Sequence, residues 1–114
     1  MSATALKQRL REDLRAAMQA KATDEVRLLR TLIAALDNAE AVPADTGPYI
    51  SRAFGDATAE RPRRQLDGDD VEALLADEIE ARLAAATDYD RHRRTEDAAR
   101  LRAEAALIER YRTR

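Results

Sequence analysis

The stretch Thr23–Pro43, TDEVRLLRTLIAALDNAEAVP, decides the fold. Val26, Leu28, Leu29, Leu32, Ile33 and Leu36 recur in it at the three- and four-residue intervals of an α-helix. Residues so spaced share one face, because the helix turns once every ~3.6 residues. They cover more than a narrow stripe, so this helix must meet its neighbours over a broad surface. Arg27, Arg30 and Thr31 interrupt them. Thr23 is placed to cap the start, with Asp24 and Glu25 near the positive end of the helix dipole. Asp37, Asn38 and Glu40 cluster where the helix is predicted to end, giving a span of about 23–40.

Upstream, Leu6, Leu10, Leu14, Ala17 and Met18 define the apolar face of a first helix over about 4–21, leaving Lys7, Arg11, Arg15 and Gln19 to face water. Only two or three residues separate it from the next helix, so the pair is predicted to form an antiparallel hairpin. Downstream, the segment 41–66 holds all three prolines and the only Phe. So long a connection inside a small domain is typically functional or disordered. Tyr49, Ile50 and Phe54 are its apolar anchors, and Arg61, Arg63 and Arg64 are predicted to be exposed.

Asp67 is the expected N-cap of a third helix over about 68–90, with Asp69 and Asp70 in its first turn. Val71, Leu75, Ile79 and Leu83 repeat every fourth residue, and Leu74 widens their stripe. The pattern fades from Tyr89 to Arg93. It resumes in a fourth helix over about 95–112, through Ala98, Leu101, Ala105, Ile108 and Tyr111. The expected architecture is all-α, a single domain over 1–114 in which two helical hairpins are joined by a long crossover segment.

Composition agrees. The chain has 114 residues, enough for one core and too few for two. Much of its 45% apolar content is alanine, which favours helices and lets them approach closely. With 20 Lys plus Arg against 22 Asp plus Glu, the net charge is −2. The whole surface is therefore not expected to bind nucleic acid non-specifically, although a local patch can. There is no cysteine, which removes disulfide, thiolate-metal and thiol redox chemistry. The opening MSATALKQRLRED has no signal-peptide pattern, and no stretch reaches the ~18 apolar residues that would span a bilayer. A soluble, cytoplasmic protein is expected.

Catalytic chemistry finds little support. His92 is the only histidine and stands between Arg91 and Arg93 without a nucleophile beside it. Asp88, one turn earlier, is placed to pair with it. Asp67, Asp69 and Asp70 around Gly68 fail the twelve-residue calcium-loop spacing, and helix capping accounts for them. No enzyme activity, metal or cofactor is expected.

Charged residues offer binding candidates, each with a plainer structural role beside it. Glu78 and Arg82 stand one turn apart in the order that favours an ion pair, at the edge of the apolar face. They either fix helix register or, with Arg30, present charge to a partner. Asn38 either caps the end of its helix or binds a ligand there. From Arg91 to Arg114, eight arginines face four carboxylates, a local excess of four positive charges. Arg93, Arg94 and Arg100 in this segment can contact an RNA backbone. The plainer reading pairs them off within a solvated helix, as Glu96–Arg100 and Asp90–Arg94. Only Tyr89 and Tyr111 are available for stacking.

The run R-L-L-R-x-L-x-x-A-x-x-N-x-E over residues 27–40 resembles the signature helix of the GatB/YqeY-like family. LKQRLREDLRAAMQAK resembles that family's opening helix through Leu6, Leu10, Asp13, Met18 and Lys21. Looser matches follow at Arg82, Tyr89, Ala105 and Leu107–Tyr111. The likeness covers nearly the whole chain and is most specific over 6–40. Family members usually continue with Tyr-Leu-Pro and a small C-terminal helical domain. Here Tyr111 is followed by Arg112, Thr113 and Arg114, so that domain is expected to be lacking. Segment 41–66 also replaces a usually short connection.

The resemblance implies a non-catalytic helical adaptor. Its partners would be tRNA or a tRNA-handling enzyme, such as a tRNA-dependent amidotransferase or an aminoacyl-tRNA synthetase. Arg30, Asn38 and Arg82 are the expected contacts, supported by Arg93, Arg94 and Arg100. The alternative is a self-associating protein–protein module with no nucleic-acid role, a homo-oligomer using 41–66 as an exchanged or docking arm.

Overall fold

The structure, a computed structural model, describes residues 1–41 and 65–112. Helices α1 (Ala3–Gln19), α2 (Thr23–Ala41), α3 (Gly68–Arg91) and α4 (Thr95–Glu109) make up the fold, and no strand occurs among the described residues. α1 packs along α2 and α3 along α4, so the all-α arrangement of two hairpins is as expected. Tyr49, Ile50, Phe54, Arg61, Arg63, Arg64 and the conformation of the crossover lie outside the described residues.

Side-chain caps start α1 and α3. The Ser2 hydroxyl accepts from the Ala5 N–H at 3.1 Å and caps α1. For α3 the expected cap is present as a reciprocal box: the Asp70 N–H donates to the Asp67 carboxylate at 2.8 Å, and the Asp67 N–H to that of Asp70 at 3.2 Å. The expected Thr23 cap of α2 is not formed. Thr23 is already the first helical residue, and the preceding Ala22 carbonyl accepts from Val26 N–H at 2.9 Å. α4 is shorter than expected and ends at Glu109, with Tyr111 in the turn beyond.

Both hairpins turn in the same way. Ala22 N–H bonds back to the Ala17 carbonyl at 2.9 Å, and Lys21 N–H to that of Met18 at 3.1 Å. Arg94 N–H reaches the Tyr89 carbonyl at 2.9 Å, and Arg93 N–H that of Asp90 at 3.0 Å. These are Schellman closures, which place one residue in the left-handed region and usually use glycine there. Here the residues are Lys21 at φ 58° and Arg93 at φ 63°. Neither turn carries the glycine that would have marked it in the sequence.

One core joins the hairpins. It gathers Leu6 and Leu10 of α1, Leu28, Leu29, Leu32 and Leu36 of α2, Val71 and Leu75 of α3, and Ile108 and Tyr111 at the end of the chain. Each buried leucine contributes about 1.5–3 kcal/mol by leaving water. In α3 this shared core stops at Ile79, and in α4 it starts at Leu107. The rest of the second hairpin is an arm packed on itself through buried Ala86 and Ala98.

Three sequence expectations change for that reason or a related one. Leu83 lies on the arm, beyond the first hairpin, and is exposed. Met18 sits on the last turn of α1 and is also exposed. Lys7 does not face water. Its ammonium bridges Asp37 at 3.0 Å and Glu40 of α2, and Glu40 foremost, then Asp37, holds its pKa above the ordinary lysine value.

Candidate functional site

The expected contact residues fall into three places. Arg30 and Asn38 are exposed on the outer side of α2. Arg30 lies along a shallow groove with Thr23, Val26, Arg27, Thr31 and Ala34. Asn38 stands inside α2, which runs on to Ala41, so it does not cap the helix end.

Arg82 is occupied within the arm. Its guanidinium donates to the Glu78 carboxylate at 2.7 Å, to the Glu78 carbonyl at 3.0 Å and to Glu104 of α4 at 3.0 Å. Its side chain is only 14% exposed. The Glu78 pair was legible as a helix-neighbour spacing. Glu104 was not, because it comes from the antiparallel helix. Arg82 thus clamps α3 to α4 through Nε and Nη1.

Arg93, Arg94 and Arg100 gather at the tip of the arm, where α3 turns into α4. The pairs anticipated there are replaced by others. Arg94 and Arg100 both bind Asp97, at 2.8 and 2.9 Å, instead of Asp90 and Glu96. Asp90 instead crosses the hairpin to Arg102 at 2.6 Å. The hydrogen bond from Arg100 is the main cause holding the Asp97 carboxyl below the usual range. Arg91 pairs with Asp88 at 2.8 Å. His92 therefore meets the Asp88 carbonyl, at 2.9 Å from Nδ1, and not its carboxylate. Arg93 is the exception: exposed at φ 63°, its side chain has no hydrogen-bond or ion-pair partner among the described residues.

The tip also carries the half-buried Tyr89. The Arg94 guanidinium lies over its ring, 5.2 Å from the centroid. Tyr89, His92, Arg94, Asp88 and Ala85 line a hollow of about 440 Å³. Planar and cationic groups thus surround a concave surface at the end of a projecting arm. That arrangement can bind by stacking and by charge.

A second cleft, of about 310 Å³, lies where the end of the chain meets the first hairpin. Tyr111 closes it: its hydroxyl donates to the Asp13 carboxylate, and Arg9 lies 4.8 Å above its ring. Sequence periodicity placed Tyr111 on a core face but could not find Asp13 or Arg9. Arg112 adds a bond to Glu72 at 3.2 Å.

Among the described residues, no three His, Asp or Glu side chains converge to hold a metal ion, and no helix is long and apolar enough to cross a membrane. No family model matches the chain, and no curated protein matches it.

Proposed function

We propose that this chain is a non-catalytic helical adaptor that contacts RNA, with tRNA the expected class, through the tip of its second hairpin. The observation that carries the reading is Arg93. Lys21 takes the same left-handed position in the first hairpin, so the conformation does not set Arg93 apart; its place in the arginine cluster of the arm tip does. Arg93 is exposed, and its side chain has no hydrogen-bond or ion-pair partner among the described residues, while the next residue, Arg94, lies over Tyr89. The likeness of residues 6–40 to the GatB/YqeY-like family supports the same partner class. Arg82 leaves the list of contacts and becomes a clamp of the arm. Arg94 and Arg100 share Asp97, so they set the shape of the tip more than its free charge.

Binding to bulk tRNA across a salt series tests this, with Arg93→Glu at the tip and Arg30→Glu on α2 compared with the unaltered chain. Micromolar binding that weakens with salt is expected, lost in Arg93→Glu and kept in Arg30→Glu. Loss in Arg30→Glu alone would move the contact to α2. No binding at low salt, with a doubled mass by light scattering, would favour the self-association reading instead.

A further inference from the structure

We propose that the hollow beside Tyr89 receives one unpaired nucleotide of a single-stranded RNA segment, its base stacked on Tyr89 and its phosphate met by Arg93. This rests on the reading of the arm tip as an RNA contact and specifies which form of RNA it takes. The hollow, of about 440 Å³, is open to solvent, so it would seat a base against its wall without enclosing it. The Tyr89 ring already holds one planar group, the Arg94 guanidinium, 5.2 Å from its centroid. A planar base would take the place of that guanidinium on the ring, and every base has a face to offer.

The carboxylate that lines the hollow is already engaged. The Asp88 carboxylate is engaged by Arg91, and Asp97 is shared by two arginines. Arg93, between the lining residues His92 and Arg94 in the chain, has no ion-pair partner among the described residues. His92 commits Nδ1 to the Asp88 carbonyl, and its exposed ring has Nε2 for a hydrogen bond to a base edge or sugar. A base within an A-form duplex is stacked on both sides and cannot enter such a hollow, whereas a splayed base in a loop can.

The test compares a 12-nucleotide oligouridine strand with a 12-base-pair RNA duplex on the full chain, by fluorescence anisotropy at low salt. Tyr89→Phe, Tyr89→Leu and Tyr89→Ala are compared alongside, with helicity checked by circular dichroism. The single strand is expected to bind at least roughly tenfold more tightly, the effect of one stacked base. Tyr89→Phe should keep that preference. Tyr89→Leu, which retains apolar bulk, and Tyr89→Ala should lose it while duplex binding persists. Uridine monophosphate should compete for the single strand better than inorganic phosphate does. Salt-sensitive binding with equal affinity for strand and duplex would overturn this inference and leave the RNA reading standing, as would a preference that survives in Tyr89→Leu or equal competition by phosphate. Binding to neither RNA would overturn both.

Discussion

The hydroxyl of Tyr111 donates a hydrogen bond to the carboxylate of Asp13, 98 residues earlier in the chain. It ties the end of the second hairpin to α1 of the first, and Arg9 holds the ring from above. Tyr111→Phe removes only the oxygen and is expected to destabilise the fold by about 1–2 kcal/mol, because a bond to a carboxylate is lost while the ring stays packed. Burial first, then the bond to Asp13, raises the Tyr111 pKa above its ordinary value of 10.0. The protonated form is therefore the one that folding favours. Its contribution is fully present below about pH 10 and is lost as pH rises through the higher folded-state value. Urea unfolding at pH 8 and pH 11 should show the gap between the two proteins narrowing at the higher pH. A gap that widens would show that the hydroxyl is not held protonated.

Arg82 should behave as a structural residue. Arg82→Ala leaves the Glu78 and Glu104 carboxylates facing each other across the α3–α4 seam. A loss of about 1–3 kcal/mol is expected for this half-buried cluster, less than for a fully buried pair. Arg82→Lys should recover only part of it, since an ammonium cannot reproduce the fork that spans both carboxylates. Thermal unfolding measures the loss, and tRNA affinity at a temperature where both proteins are folded should not change. A stable Arg82→Ala protein with weakened tRNA binding would return Arg82 to the contact surface.

The Asp67–Asp70 box predicts a separable effect at the start of α3. Asp67→Ala should cost about 1 kcal/mol, and Asp67→Asn much less, because asparagine caps nearly as well. Chemical denaturation resolves the difference. Equal stability of all three proteins would mean that α3 does not depend on this cap.

Local patterns were legible in the sequence, and relationships between distant segments were not. The α2 leucines and the Asp67 cap follow from spacing within a few residues, and the structure has both. Leu83 shares the four-residue repeat of Val71 and Leu75, yet it is exposed. A repeat marks a face of a helix but not where the neighbouring hairpin stops covering it. The sequence alone leaves Lys7 facing water because its carboxylate partners lie 30 and 33 residues away. At the tip, spacing allowed several ion pairs: Asp97 takes Arg94 and Arg100, each three residues away, whereas Asp90–Arg102 depends on the backbone turn that brings α4 back along α3. That turn was invisible because Arg93 occupies the position where glycine would have signalled it.

Arg93 also sets stability against binding, and this gives the most direct test of the tip as an RNA contact. Arg93→Gly relieves the left-handed conformation and should raise stability by about 0.5–1 kcal/mol, after allowing for the greater freedom of glycine in the unfolded chain. The measurement is tRNA affinity across a salt series on this variant and the unaltered protein, with thermal unfolding of both. The expected result is a higher melting temperature, weaker tRNA binding and a log–log salt slope shallower by about one. A more stable variant that binds tRNA with unchanged affinity and slope would contradict an RNA contact at the tip.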